Sequence, residues 1–153
     1  PASAGALSLS LDPSIIEINA FPPSAATTTL SIQNKSDAQV ILQIQIKPFK
    51  AKGENGELEY LNLQNSFVAR NVQILDGGVP VEGIVLGPGQ QKNLTLNINI
   101  LQDTNVSDYY FSVVFASVNS SPVESNSSLN QIGIVTNVLL SVGPLETPKA
   151  VLE

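Results

Sequence analysis

The strongest constraint on this chain is a two-residue alternation of apolar and polar side chains. From residue 94 to residue 100, every second residue is leucine or isoleucine, and each residue between is threonine or asparagine. Residues 7–11, 16–18 and 40–46 follow the same period. Because successive side chains of a strand point to opposite faces, this period predicts half-buried strands with one apolar face and one face of Gln, Asn, Ser and Thr. No window of useful length has the spacing of an amphipathic helix, so the chain is predicted to be all-β.

Two later segments depart from simple alternation. The segment from Tyr109 to Ala116 is apolar on nearly both faces, which predicts the central strand of a sheet. The segment from Ile132 to Val142 begins as alternation and then fills both parities. It predicts either a long strand with a bulge or a strand that passes from one sheet to the other.

Turn-forming residues separate these segments at intervals of about 10 residues, which is typical of a β-sandwich or barrel. Asp12-Pro13 breaks the first strand, and residues 34–37 are expected to form a short hairpin loop. Gly87-Pro88-Gly89 predicts a tight turn in which Pro88 and Gly89 are structural. Residues 117–130 predict a long exposed hairpin loop. The chain has 153 residues, which suits one domain, and we count seven to nine strands.

Composition excludes most catalytic and cofactor chemistry. The chain has no His, Cys, Met or Trp, so it cannot build a Ser-His-Asp triad, a Cys-His pair, a zinc site with nitrogen or sulfur ligands, or a disulfide. Its net charge of −6 gives no electrostatic attraction for nucleic acid or an anionic membrane. Charged residues make up only 13%, while Asn, Ser, Thr and Gln account for 48 of 153 residues. No apolar run reaches the length of a transmembrane helix.

Acidic residues offer two weak alternatives. Glu54, Glu57 and Glu59 are close enough in sequence to suggest a calcium loop, but outward charges on an edge strand explain Glu57 and Glu59 better. Glycoside hydrolysis needs two suitably spaced carboxylates, and the chain has no Trp and three Tyr to form a sugar platform. We therefore expect no catalytic, cofactor-binding or metal-binding residues.

Two further motifs favour structural roles. Asp108-Tyr109-Tyr110 opens the predicted central strand, and Tyr109 or Tyr110 is expected to form a tyrosine corner, in which the hydroxyl bonds to an upstream backbone group. Five Asn-x-Ser/Thr triplets also occur, and each is a candidate glycan acceptor or simply part of a polar segment. They begin at Asn34, Asn93, Asn105, Asn119 and Asn126.

Three stretches resemble bacterial cell-surface immunoglobulin-like domains. Residues 9–49 contain a strand, a proline break, the Asn34-Lys35-Ser36 loop and a long alternating strand. Residues 86–100, LGPGQQKNLTLNINI, match a Pro-Gly turn followed by a strand. The two segments DYYFSVVFAS and NQIGIVTNVLLSVG match the final hairpin. The chain is similar to the peptidoglycan-binding domain of WxL-interacting proteins and, more distantly, to pilus-chaperone N-domains and major sperm protein domains.

The resemblance implies an immunoglobulin-like antiparallel β-sandwich with Greek-key connections over residues 7–143. A flexible segment, 1–6, precedes it, and residues 144–153 are a linker or the start of a further domain. The implied function is a non-catalytic extracellular or cell-wall-associated binding or spacer module of a bacterial surface protein. The alternative is a structural subunit of a pilus or fibre assembled by strand addition. Pilus chaperones anchor a subunit's carboxylate with two basic residues, for which only Lys47 and Arg70 are candidates here.

The expected partner is a cell-wall polymer or another surface protein, and self-association is possible. We expect no nucleic acid, no cofactor and no membrane insertion by this chain. Because recognition residues concentrate on loops of a rigid scaffold, the two longest exposed segments supply the candidate binding residues. These are Lys50, Lys52 and Glu54 in one segment, and Asn119, Ser120, Ser121, Glu124 and Asn126 in the other.

Overall fold

The computed structural model describes residues 7–52, 57–60, 67–118 and 133–144. These residues form eleven strands and one short helix. The elements are β1 (Leu9–Asp12), β2 (Ile15–Ala20), β3 (Ser24–Asn34), β4 (Val40–Lys52), β5 (Glu57–Tyr60), α1 (Phe67–Asn71), β6 (Val72–Asp76), β7 (Val79–Pro80), β8 (Gly83–Leu86), β9 (Gln91–Ile100), β10 (Ser107–Ser117) and β11 (Gly133–Val142). The all-β prediction is confirmed.

Two sheets pack face to face as an immunoglobulin-like sandwich. The five-stranded sheet has the order β1-β3-β9-β6-β7. The six-stranded sheet has the order β2-β11-β10-β4-β5, with β8 also paired to β4. All pairs are antiparallel except β2 with β11, which run parallel. The predicted sandwich is therefore confirmed, with one parallel pair added.

The first strand of the sandwich is divided between the two sheets. β1 pairs with β3 in one sheet, and β2 pairs with β11 in the other. The chain crosses at Pro13, which has no N–H to donate to a sheet. The structure has more strands than the predicted seven to nine because β5, β7 and β8 contain only four, two and four residues, too few to show a clear alternation.

Residues 35–39 connect the two sheets and do not close the expected hairpin. β3 lies in the five-stranded sheet and β4 in the six-stranded sheet, so these consecutive strands are not paired. A real hairpin occurs at β6 and β7, where Asp76 lies opposite Val79. Its two central residues, Gly77 and Gly78, have φ angles of 63° and 86°, values that glycine adopts without steric cost.

The core lies between the sheets and consists almost entirely of Leu, Ile, Val and Phe. The five-stranded sheet contributes Leu30, Ile32, Leu94, Leu96 and Ile98, all 0% exposed, and the six-stranded sheet contributes Leu42, Phe111, Val113, Phe115, Val138 and Leu140, also 0% exposed. Burial of each such side chain stabilises the fold by about 1.5–3 kcal/mol, so apolar burial replaces the missing disulfide.

β10 is a central strand, as its two apolar faces predicted. It pairs with β11 on one side and β4 on the other. β11 pairs with β10 residue by residue, from Gly133 opposite Ala116 to Val142 opposite Ser107. The change of phase along β11 therefore reflects half-buried Val135 and Leu139 on its outer face, and this strand stays within one sheet.

Thr136 fixes the crossing point of the first strand. Its side chain is fully buried, and its hydroxyl donates to the carbonyl oxygen of Pro13 at 2.8 Å. We expect Thr136→Val, which keeps the shape, to lower the free energy of unfolding by about 1–2 kcal/mol because that carbonyl loses its donor. Urea unfolding measures the change. The matched control is Thr95→Val on the outer face, which should change stability by less than about 0.5 kcal/mol. Equal effects would contradict this role.

Candidate functional site

The outer face of the five-stranded sheet is a surface of uncharged polar side chains, here called the polar face. On β3 and β9 the polar residues between the buried ones point outward, and Gln73 of β6 joins them, with half-buried Leu75 two residues further on, opposite Thr95. The polar face consists of ten polar residues, all of them exposed or half-buried. They are Thr27, Thr29, Ser31, Gln33, Gln73, Gln91, Asn93, Thr95, Asn97 and Asn99.

The register of the strands places these side chains in rows. Thr29 lies opposite Thr95, and Ser31 lies opposite Asn93. Asn97 has Gln73 on one side and Thr27 on the other. Rows along a strand are about 6.6 Å apart and neighbouring strands about 4.8 Å apart. From residue 27 to residue 33 the polar face is thus about 20 Å long, and it is about 10 Å wide at Asn97, where Gln73 of β6 adds a third strand.

Sequence reasoning predicted a polar face on each strand separately. It did not predict that β3, β9 and β6 are neighbours, because alternation shows which way side chains point and not which strands pair. One hydrogen bond links the rows diagonally, from Gln91 Nε2 to Ser31 Oγ at 2.7 Å. On the edge strand β1, Asp12 contributes an exposed carboxylate beside the polar face.

The outer face of the six-stranded sheet has a different chemistry. Val114 lies opposite Val135 in the middle of this face, and both are half-buried. The rings of Phe49 and Tyr110 stack with centroids 6.0 Å apart. Charged Lys47 is exposed on the same face. This face therefore mixes apolar, aromatic and charged side chains.

A cleft of about 1010 Å³ opens between β4 and β6. Ile44, Ile46 and Val72 form part of its apolar wall, and Lys47 and Glu82 also line it. Among the described residues that line the cleft, Glu82 is the single acid, whereas glycoside hydrolysis uses two carboxylates. The described part of the chain also contains no cluster of three or more acids that could hold a metal ion.

Asn34 joins two connecting segments, residues 35–39 and 87–90, at one end of the sandwich. Its side chain is 0% exposed, and its Nδ2 donates to the carbonyl oxygens of Ala38 at 2.8 Å, Leu86 at 3.1 Å and Gly87 at 3.0 Å. Its Oδ1 accepts from the backbone N–H and the hydroxyl of Ser36. This amide is fully used inside the fold, so the Asn34 triplet has a structural role.

The Pro88-Gly89 turn lies next to the Asn34 side chain. Gly89 has a φ of 74°, which favours glycine. The backbone N–H of Gln90 donates to the carbonyl of Gly87 at 3.1 Å, and Gln90 Oε1 accepts from the N–H of Gly87 at 2.8 Å. The turn therefore presents the Gly87 carbonyl to Asn34 in a fixed position.

Tyr109 and Tyr110 make different bonds at the start of β10. The Tyr109 hydroxyl donates to the carbonyl of Asn105 at 3.1 Å, and its ring stacks on Phe67 of α1 at 4.5 Å. The Tyr110 hydroxyl donates to the Asp108 carboxylate at 3.3 Å. Of the two tyrosines, Tyr109 thus bonds to an upstream backbone group. Burial raises the pKa of Tyr109, and the Asp108 charge is the main cause that raises the pKa of Tyr110.

Tyr109 should make stability fall in alkaline solution. Because its pKa is higher in the folded state than in the unfolded chain, its contribution is complete below about pH 10 and is lost as the pH rises through the folded pKa. We expect Tyr109→Phe to lower the free energy of unfolding at pH 8 by about 0.5–1 kcal/mol through the lost hydrogen bond. Above pH 10 this deficit should shrink. Urea unfolding at pH 8 and pH 11 tests this, and a constant deficit would contradict it.

The structure places few of the predicted binding residues. Asn119, Ser120, Ser121, Glu124, Asn126 and Glu54 lie outside the described residues. Lys50 is exposed on β4, where Glu59 of the edge strand β5 is its backbone pairing partner, and Lys52 pairs with Glu57. Arg70 is exposed on α1. These assignments stay predictions.

Comparison with solved structures finds the same fold in proteins of very different function. The class 5 fimbriae chaperone CfaA matches with a TM-score of 0.55 and 13% identity, over 91% of this chain and 57% of the chaperone chain. PapD-like domain 7 of human CEP192 matches with a TM-score of 0.55 and 9% identity, over 95% and 99%. A family 123 glycoside hydrolase from Clostridium perfringens matches with a TM-score of 0.57 and 12% identity, over 94% and 28%.

These similarities establish the fold. The chain spans just over a quarter of the glycoside hydrolase and little more than half of the chaperone chain. No protein-family model matches the sequence, and no curated protein matches it. Among the described residues, no helix is long and apolar enough to cross a membrane.

Proposed function

We propose that this chain is a non-catalytic binding or spacer module of a bacterial surface protein and acts outside the cell. The observation that supports this most is that the buried polar groups form hydrogen bonds within the fold. Among the described residues, every buried polar side-chain atom has a hydrogen-bond partner. The Asn34 amide and the Thr136 hydroxyl hold loops and strands together. Recognition is therefore assigned to the outside of the sandwich.

Tyr109 and Tyr110, whose pKa values are raised, have structural surroundings. Catalytic sites usually contain acids or bases whose pKa values are shifted by burial and by neighbouring charges. Burial raises the pKa of Tyr109, and the neighbouring Asp108 charge is the main cause that raises the pKa of Tyr110. Both causes lie in the packing at the start of β10.

The alternative, a pilus or fibre subunit, requires a strand that is available for donation. β1 is already paired with β3 of the same chain, from Leu9 opposite Asn34 to Asp12 opposite Ser31. This pairing disfavours donation of the first strand. Residues 119–126 and Glu54 remain candidate contacts of the binding module, because the sequence predicts loops there and loops on a rigid scaffold commonly carry recognition. Lys50 and Lys52 lie on β4 and not in a loop.

The test is retention of the labelled chain on three bacterial preparations: intact cells, cells shaved with protease, and purified cell-wall sacculi. We expect retention on intact cells. Loss after shaving would indicate a protein partner, and retention on sacculi would indicate a wall polymer. Absence of retention on all three would contradict the binding function, and release of soluble sugar from sacculi would contradict the non-catalytic assignment.

A further inference from the structure

We infer that the polar face binds an uncharged polysaccharide. The inference rests on the proposed function and names the ligand class of one surface. It follows from the combination of ten neighbouring side chains that can each form hydrogen bonds, with no charge among them, in a chain with a net charge of −6. A polar surface is ordinary for an exposed sheet. At the outward positions of β3 and β9 there is no Lys, Arg, Asp or Glu, and the one neighbouring charge among the described residues is the Asp12 carboxylate at the β1 edge, opposite Ser31. This composition restricts the ligand.

Charge excludes several classes of partner. The polar face has no cation that would meet a phosphate, a uronic acid or a nucleic acid backbone. The negative net charge also repels anionic polymers at longer range. An uncharged ligand avoids both costs, because it needs neither a counter-charge nor the removal of a charged side chain from water.

Hydrogen-bond chemistry fits sugar hydroxyls. A hydroxyl group both donates and accepts, and so do the Thr and Ser hydroxyls and, through their two ends, the Asn and Gln amides. The row of Thr29 and Thr95 is followed along both strands by Ser31 and Asn93. A chain of sugars lying along β3 and β9 would therefore meet complementary groups every 6.6 Å or so.

The residue types also argue against a protein partner. Protein–protein interfaces are enriched in Tyr, Trp, Phe, Met and Arg at their centres, and the polar face has none of these. Without an aromatic ring, no sugar can stack on the surface. Each hydrogen bond to an exposed group contributes little because water competes for it. Short sugars should thus bind weakly, and a polymer with many repeats should bind well through multivalency.

The polar face is also largely preorganised. Thr27, Thr29 and Thr95 are β-branched residues on strands, and their χ1 angles are restricted. The backbone of Thr95 is held on both sides, by β3 and by β6, and the backbones of Thr27 and Thr29 are held on one side by β9. Less conformational entropy is therefore lost on binding than on a loop. The twist of the sheet suits a flexible polymer better than a rigid flat lattice.

The experiment is electrophoresis of the native chain through gels that contain one soluble polysaccharide each. The neutral probes are a β-1,3-glucan, a mannan and a dextran, and polygalacturonate is the anionic comparison. We expect at least one neutral polymer to retard the chain and polygalacturonate to leave its mobility unchanged. Retardation by none of the neutral polymers, or by polygalacturonate alone, would overturn the inference.

Paired variants locate the surface. Asn93→Ala with Asn97→Ala removes two amides from the polar face, and we expect about tenfold weaker retardation. The matched control is Gln43→Ala with Gln45→Ala, which removes two amides from the outer face of the opposite sheet. This control should change the retardation by less than about twofold. A second pair, Thr27→Ala with Thr29→Ala, repeats the test on β3. Unfolding curves check that all variants fold. Loss of binding in the control pair alone would overturn the inference.

The result is separable from the proposed function. If the Asn93 and Asn97 variant is retained on bacterial cells as strongly as the unaltered chain, and no neutral polysaccharide retards either, the binding module stands and the polar-face assignment fails. If neither cells nor polysaccharides retain the chain, both fail.

Discussion

Replacing Asn34 by alanine is expected to lower the free energy of unfolding by about 3–5 kcal/mol, which corresponds to a fall in melting temperature of roughly 10 °C for a chain of this size. One amide group serves the carbonyl oxygens of Ala38, Leu86 and Gly87. Removing it leaves these carbonyls without that donor at a site where Asn34 itself is fully buried. A buried polar group without a partner costs about 1–3 kcal/mol.

Asn34→Asp separates the loss of the donor from the loss of volume. At neutral pH a carboxylate cannot donate, and it would face three carbonyl oxygens at about 3 Å. We therefore expect it to destabilise the fold at pH 7 at least as much as Asn34→Ala. At low pH the protonated acid can donate one bond, so its deficit relative to the unaltered chain should be smaller at pH 3.

The control is Asn93→Asp, since Asn93 is also the first residue of an Asn-x-Ser/Thr triplet but is exposed on β9. It should change stability by less than about 0.5 kcal/mol. Urea unfolding with the two variants measures both effects. A fall in the free energy of unfolding below about 1 kcal/mol for Asn34→Ala would contradict this role, because it would show that water can replace the hydrogen bonds of the Asn34 amide.

Phe115→Ala is expected to lower the free energy of unfolding by about 3–5 kcal/mol. Phe115 is 0% exposed on β10, and its backbone pairs with Ile44 on one side and Ile134 on the other. Alanine would leave a cavity between the two sheets. No disulfide spans the sandwich, so the two sheets are held together by apolar burial. The expected fall is a large fraction of the 5–15 kcal/mol free energy of unfolding that is typical of a domain.

Two further variants make this result interpretable. Phe115→Leu keeps most of the volume and should cost less than half as much as Phe115→Ala. Val114→Ala, one residue along on the half-buried outer face, should cost about 1 kcal/mol or less. Equal losses for Phe115→Ala and Val114→Ala would contradict the assignment of the core to the inner faces of β10.

Local alternation predicted the faces of strands much better than their partners. The period of two at residues 94–100 identified both the buried and the outward side of β9, and the apolar run from Tyr109 identified β10 as central. The loop after Asn34 was expected to close a hairpin, because turn residues of short hairpins and of crossings between sheets are the same. The crossing follows from the pairs of β3 with β9 and of β4 with β10, which depend on residues more than 50 positions away.

The role of Asn34 could not be predicted from the sequence for the same reason. In the sequence it is an asparagine in a polar loop, and its buried partners Leu86 and Gly87 lie more than 50 residues further on. The polar face was predicted only strand by strand, since its ligand-sized area arises when β3, β9 and β6 pair. That residues 119–126 and Glu54 bind a partner stays a prediction.

Nuclear magnetic resonance of the isotope-labelled chain tests the central claim most directly, namely that this sandwich recognises its partner on its outside and not in a cleft. The chain would be titrated with soluble fragments of the β-1,3-glucan, the mannan and the dextran. We expect shifts in the side-chain amides of Gln91, Asn93, Asn97 and Asn99. The side-chain amides of Gln43 and Gln45 and the methyl groups of Ile44, Ile46 and Ile74 should remain unchanged. Shifts confined to the cleft methyl groups would contradict the central claim. The absence of shifts with all three sets of fragments would overturn the assignment of the ligand to the polar face.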